Sequence, residues 1–347
     1  MDPALHSDDA RDASQVTSLP PLRYLTGDDV RSAMPPIEER LAHAERTLVA
    51  LATPGGSQLP PKIGIYPRPE AAFVHAMPAH LRGTDSRDDL VGMKWVAGFS
   101  TNNAIGIPAI HGIVVLNDPE TGVPTAILDG GPITAERTAA VSGVAIRRFA
   151  PRRSGAALVA LIGAGVQGHS HVPVLGHVLP GLHLRIHDPS ADRAVSLAAF
   201  ARVTQGIAEV TTIDSARDAI EGADVVVTAA SFTTPERRQS MTNDWLGPET
   251  LVVPIDYATY CAAEVARDAA LFLVDDRGQF LYNRDAGQFD DYPDPGAMLG
   301  EALIAGTARP AGRVVVTHLG VGLADVVFAD AILRRAAERG LGIDLPR

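Results

Sequence analysis

The stretch AALVALIGAGVQGHS, residues 156–170, decides the fold. It opens on a continuous apolar run, AALVALIG, the mark of a strand buried on both faces of a parallel sheet. Gly163-Ala164-Gly165-Val166-Gln167-Gly168 then satisfies G-x-G-x-x-G. Alone this spacing is weak; between a strand and a helical stretch it meets the requirement of a dinucleotide site. Gly163 permits the tight turn, Gly165 lets the backbone approach a pyrophosphate, and Gly168 allows close helix–strand packing. The helix start at Val166 and Gln167 attracts the phosphates. The plainer alternative is that the glycines only shape a turn. Asp188 closes the next strand, 20 residues after Gly168. An acid there accepts hydrogen bonds from a ribose 2′-hydroxyl and repels a 2′-phosphate, so NAD is expected over NADP. Arg185 and Arg193 are near enough to keep NADP possible. Pro173 falls inside the expected helix and predicts a kink or a short first turn.

Outward from this unit, LHLRIHD (182–188), AEVTTID (208–214), DVVVTAAS (224–231), TLVVPID (250–256) and ALFLVDD (270–276) alternate with helical or loop stretches. The rhythm predicts a doubly wound parallel sheet, an α/β Rossmann fold. Thr228 and Ala229, at the end of DVVVTAAS, join the cofactor-binding candidates. RVVVTHLG (313–320) adds a strand, and LADVVFADAILRRAAERG closes the chain as an amphipathic helix. Toward the N-terminus, residues 1 to about 20 read as a polar arm, and a helix is expected from Gly27 to Ala52, broken at Pro35-Pro36. KIGIY, AFVHAM, GMKWVAGF, GIVVLND and PTAILDG read as strands of a mixed, antiparallel-rich sheet.

The 347 residues suffice for two domains, and 46% apolar with 20% charged content allows a sizeable core. A net charge of −11 argues against nucleic-acid or anionic-membrane partners. The single cysteine, Cys261, allows no intrachain disulfide, the first residues lack signal-peptide character, and no apolar run approaches a membrane span. A cytoplasmic protein is expected.

Four positions carry chemistry. Lys94 lies in the otherwise apolar GMKWVAGF, where it either snorkels at an edge or is buried with a lowered pKa for acid–base work. In ITAERTAAVSG, Thr134 reads as a helix N-cap, which puts Arg137 at the third helical position. A cation there opposes the helix dipole and points to a bound anion, such as a substrate carboxylate. A salt bridge to Glu136 or Asp129 would also explain it. Asp256 closes TLVVPID at a strand carboxyl end, where it could exchange a proton with a substrate nitrogen or simply cap the next helix. Asn103, at the end of GMKWVAGFSTNN, is a candidate substrate contact. His169, His171 and His177 share no helical face, and His75, His111 and His318 are scattered, so no metal site is expected.

At AMPAHL, GMKWVAGF, IP-x-I-x-G-x-VVLNDPETG-x-P-x-A, ITAERTAA, LIGAGVQG and VGLADVVFADAIL, the chain resembles the ornithine cyclodeaminase/mu-crystallin family. The matching stretches are collinear and span roughly residues 60 to 340. The resemblance implies a homodimer and two domains. Residues 1–132 with 313–347 would form a smaller α+β substrate-binding and dimerisation domain, and 133–312 an inserted NAD(P)-binding Rossmann domain. It implies an amino- or imino-acid substrate over the nicotinamide, with Lys94 as the family lysine, Arg137 as the carboxylate-binding arginine and Asp256 as the acid that activates the substrate nitrogen or water. The chain also departs from the pattern. Where the family carries a second carboxylate-binding arginine it has Lys62, with Arg68 a near alternative, and His75 replaces a polar acid. Three functions follow as expectations: imine reductase or amino-acid dehydrogenase first, cyclodeaminase second, and a non-catalytic NAD(P)- and ligand-binding protein third.

Overall fold

The computed structural model describes residues 19–67, 72–231, 233 and 235–347, the side chains of Asn103 and Pro235 excepted. The polar arm up to residue 18 and Arg68 lie outside the described residues. The chain begins with β1 (Leu22–Leu25), α1 (Gly27–Ala33) and α2 (Ile37–Ala52). Thr26 and Asp29 form a reciprocal capping box on α1, and the two helices part at Pro35-Pro36, where proline removes the backbone donors that would continue the first.

β2 (Ser57–Gln58), β3 (Ile63–Ile65), β4 (Ala72–Leu81), β5 (Leu90–Phe99), β6 (Ile110–Asn117) and β7 (Pro124–Asp129) follow, then the long helix α3 (Gly130–Phe149). Next come β8 (Leu158–Ile162), α4 (Val166–Val178), β9 (Leu182–His187), α5 (Ala191–Arg202), β10 (Ile207–Thr212), α6 (Ala216–Ile220), β11 (Val225–Thr228) and β12 (Leu251–Pro254). The chain ends with α7 (Ala263–Arg267), β13 (Leu271–Val274), α8 (Arg277–Asp285), β14 (Ala297–Met298), α9 (Leu299–Ile304), β15 (Val314–Thr317), α10 (Gly322–Glu338) and β16 (Ile343–Leu345).

One sheet runs β16-β1-β7-β6-β5-β4-β2, with β3 also on β4. All its pairings are antiparallel except β1 with β7. Period-2 alternation turns Met77, Ala79, Lys94, Val96, Val114 and Leu116 into the core. The apolar stripe of α10, with Leu323, Val326 and Val327 buried, covers that face. The other face leaves Trp95 and Ile113 exposed as direct cross-strand partners, with Ile63 in the same row.

The second sheet is parallel throughout, in the order β10-β9-β8-β11-β12-β15-β13-β14. Val159 to Ile162, Val225 to Val227 and Leu251 to Val253 are buried without interruption, as helices on both faces require. Strand order reverses between β8 and β11, the crevice where open α/β sheets bind ligands. β15, which falls within the 313–347 segment expected to join the substrate-binding domain, lies between β12 and β13 in the parallel sheet, where its apolar VVVT is buried on both faces. The chain rejoins the mixed sheet only with α10. Pro173 does not shorten α4, which continues to Val178 with Val172, Val174 and Leu175 buried; the proline forfeits a single backbone donor that this packing offsets.

Candidate active site

The glycine loop leaves β8 at the reversal point. Gly163 has φ +109°, and its amide donates to His187 O at 2.8 Å. A Cβ there would run into the Ala229 backbone, whose N–H donates to Ile162 O at 2.7 Å. Thr228 and Ala229 thus stand beside the loop. At Gly165, by contrast, a Cβ would meet nothing within 4 Å, so this backbone faces open space next to the unpaired first-turn amides of α4. Glycine is needed at 163 by the turn and at 165 only by what approaches, which fits a pyrophosphate. Asp188 accepts from Ala164 N and Ser190 N, each at 2.8 Å, and from Arg193 Nη2 at 2.8 Å. Burial opposes it, but the hydrogen bonds from Arg193 and the two amides hold the carboxyl below its ordinary range. Of the two arginines that keep NADP possible, Arg193 is held by Asp188, and Arg185 donates to Glu221 O at 2.8 Å and Asp218 O at 3.3 Å.

Lys94 does not snorkel. It is 1% exposed on the core face of β5, and its Nζ donates to Asp325 Oδ1 at 3.1 Å. Burial lowers the ammonium to about 8, against the opposing pull of Asp325. Arg137 Nε reaches the same Asp325 Oδ1, also at 3.1 Å. The N-cap expectation for this helix fails: α3 starts earlier, capped by Asp129, whose side chain accepts from Gly131 N. Thr134 is interior and donates to Gly130 O at 2.6 Å. Arg137 thus lies in the third turn, and the dipole argument for an anion does not apply there. Neither acid suggested as its salt-bridge partner pairs with it, since Glu136 holds Arg40 and Asp129 caps the helix.

Asp256 follows β12, is 2% exposed, and caps no helix; α7 starts after Ala262. Its Oδ1 accepts from Thr228 Oγ1 at 2.8 Å and its Oδ2 from Ala230 N at 3.2 Å. Burial pushes the carboxyl up to about 7, where it can hold or release a proton near neutrality. The next residue, Tyr257, has φ +58°, a strained conformation for a bulky side chain and of the kind that gathers at functional sites. Lys62 bridges the two layers: its Nζ donates to Tyr257 Oη at 3.1 Å and to Leu319 O at 2.7 Å. His75 on β4 stacks on Phe73 with centroids 4.5 Å apart. Burial, then Lys62 and Lys94, push its imidazole down to about 4, so it is neutral. Asn103 lies in the short turn Ser100–Ile105, its side chain outside the described residues.

Two features escaped the sequence. Asp325, in the first turn of α10, joins Lys94 to Arg137. An acid among the buried residues Leu323, Ala324, Val326 and Val327 was its only signal. The second is a buried chain of polar groups. His171 Nδ1 lies 2.7 Å from Gln167 O, His171 Nε2 is 2.8 Å from Ser142 Oγ, and Ser142 Oγ is 2.9 Å from His318 Nε2. Burial drives His171 to about 4 and His318 well below its usual value, so both rings are neutral. A carbonyl must receive a proton, so His171 carries it on Nδ1; Ser142 then donates to His171 Nε2 and accepts from His318 Nε2–H. No spacing in the sequence announces this contact between positions so far apart. Cys261 is buried and its thiol is pushed up to about 12, so it offers no nucleophile.

The family model for the ornithine cyclodeaminase/mu-crystallin family matches residues 28–283. The chain belongs to this family. The nodulation efficiency protein NfeD of Rhizobium meliloti is 36% identical, over 93% of this chain and 98% of its own. The ketimine reductase mu-crystallin of Mus musculus is 28% identical, over 88% and 93%. Among solved structures, the Δ1-pyrroline-2-carboxylate reductase of Thermococcus litoralis, in complex with NADH and L-proline, superposes with TM-score 0.79 at 25% identity, covering 93% of this chain and all of that one.

Proposed function

We infer that this chain is an imine reductase or amino-acid dehydrogenase. It is an NAD(P)-dependent oxidoreductase acting on the CH–NH bond of an amino or imino acid, with NAD favoured by the Asp188–Arg193 pairing and NADP the alternative. The reading rests on a buried, protonatable Asp256 at the carboxyl end of β12, hydrogen-bonded to Thr228 at the end of β11, together with a cationic set in which Lys94 and Arg137 meet on Asp325 and Lys62 bonds to Tyr257, the residue after Asp256. Gly163, Gly165, Val166, Gln167, Gly168, Asp188, Thr228 and Ala229 would hold the dinucleotide, which supplies or accepts the hydride at the substrate α-carbon. Arg137 and Lys62 bind the carboxylate. Asp256 holds the proton for the substrate nitrogen and Lys94 assists, while His75 and Asn103 border the substrate. Enclosing the nitrogen beside a fixed acid supplies part of the acceleration.

Cyclodeamination needs, in addition, an acid for a distal ammonium. Among the described residues, Asp325 is engaged by two cations, Asp256 by Thr228 and Ala230, and Asp275 accepts from Asp276 N and Gly320 N. That favours reduction. The division into a Rossmann unit and a smaller substrate unit belongs to this reading. So does a homodimer built on the exposed Trp95–Ile113 face, and a cytoplasmic location; among the described residues no helix is long and apolar enough to cross a membrane.

The test follows absorbance of reduced nicotinamide with 2-oxo acids plus ammonia or methylamine and with cyclic imines, beside NAD⁺ with ornithine, lysine or 2,4-diaminobutyrate assayed for ammonia. Net NADH consumption, lost in Lys94→Ala and Asp256→Ala, is expected. Ammonia release without net NADH change would replace reductase by cyclodeaminase. Tight NADH binding without either reaction would leave a binding protein.

A further inference from the structure

Two buried cations on different elements share one carboxylate oxygen. Lys94 Nζ, from β5, and Arg137 Nε, from α3, both lie 3.1 Å from Asp325 Oδ1, and Asp325 is fully buried. The second oxygen, Oδ2, is buried with no hydrogen-bond partner. An ion pair serving only to hold helices together would use both oxygens, as Arg147 does at the surface with Glu38 at 2.8 and 2.7 Å. Donors are left over as well. Lysine carries three and arginine five, and Asp325 takes one from each. The Arg137 Nη groups lie against Gly320, on the loop that also offers Leu319 O to Lys62.

The seat of Asp325 is rigid. α10 starts at Gly322, where a Cβ would collide with the Met77 backbone of β4, and Met77 is the cross-strand partner of Lys94. The first turn of α10 adds its own partial positive charge near the acid.

We propose that Asp325 is a positioning residue of the substrate-carboxylate site, fixing Lys94 and Arg137 against each other through one oxygen so that their remaining donors present a two-pronged seat to the carboxylate that Lys62 also binds, Lys94 thereby spanning the carboxylate and the nitrogen it assists. This rests on the amino- or imino-acid reading above. Asp325 also governs the charge of the seat. The groups facing Lys94 are Asp325 from α10, Arg137 from α3, Lys62 from the segment before β3 and His75 on β4, and among them only the acid favours the ammonium form. Removing its charge makes Lys94 lose its proton at lower pH, and the seat loses a cation.

The experiment measures pyruvate binding to the NADH-loaded protein by calorimetry from pH 6 to 10, without an amine, so that binding is read apart from turnover. Pyruvate affinity should decline as pH rises through about 8 in the parent protein. Asp325→Asn should bind it about tenfold or more weakly at neutral pH, with the decline displaced to lower pH and NADH affinity unchanged. Asp325→Glu keeps the charge but moves it, so the decline should stay in place while affinity falls. An Asn variant with unchanged affinity and decline overturns the proposal, as does a parent protein that binds no pyruvate. If the Asn variant does not fold, a Glu variant with parental affinity overturns it. Pyruvate binding as expected, with no CH–NH turnover in the assay above, would sink the enzymatic reading alone.

Discussion

Thr228 donates its hydroxyl hydrogen to Asp256 Oδ1 across 2.8 Å, at the carboxyl ends of two neighbouring parallel strands. This bond favours the carboxylate, whereas burial favours the acid and prevails, at about 7. Imine reduction needs the protonated form, so kcat/KM in that direction should fall as pH rises through about 7, and amine oxidation should rise over the same range. Thr228→Val should move both limbs to higher pH. Asp256→Asn should cost roughly 10²–10⁴ in rate and abolish the limb. Because the folded pKa is raised above the unfolded value, the stability linked to Asp256 is complete below about pH 4 and is lost as pH climbs through about 7. Melting curves at pH 5 and pH 8 should therefore show Asp256→Asn gaining on the parent at the higher pH; a constant gap would contradict the raised value.

Gly165→Val separates folding from cofactor binding. The side chain enters open space, so the melting temperature without nucleotide should stay close to the parent's. NADH affinity, followed by fluorescence titration, should fall about tenfold or more, since the branched side chain occupies the path of the pyrophosphate. Parental affinity would mean that the loop does not cradle phosphates.

Asp188→Ser should shift cofactor preference. It releases Arg193, now held at 2.8 Å, and removes the charge that repels a 2′-phosphate. The ratio of kcat/KM for NADPH over NADH should rise, with the gain lost again in Asp188→Ser/Arg193→Ala. An unchanged ratio would place the ribose elsewhere.

What could be read in advance follows physical range. The strand–loop–helix at 156–168, the break at Pro35-Pro36 and the alternation in β4 to β7 are local patterns, and each recurs in the structure. Lys94 and Asp256 could be singled out as unusual in apolar strands, but whether a lone charge is buried depends on partners far away in sequence. For Lys94 the partner is 231 residues distant. Arg137 stands out in the sequence through an N-cap reading that the structure overturns: Thr134 has the residue type of a cap, but Asp129 caps the helix, because a threonine hydroxyl serves equally well bonded back to the preceding turn. The edge strand β16 and its neighbour β1 are short and come from distant parts of the sequence, so their pairing had no local signal.

The His171–Ser142–His318 chain has a direction. With His171 Nδ1–H committed to a carbonyl, every later proton in the series is assigned, and no member can reverse its donor and acceptor roles alone. The three positions therefore behave as a single unit of inheritance. A replacement at any one strands a buried donor or acceptor, at about 1–3 kcal/mol, unless the others change with it. Descendants of this sequence should keep all three or exchange them together, and grafting this cofactor helix onto a relative's substrate layer should succeed only when residues 142, 171 and 318 travel as a set.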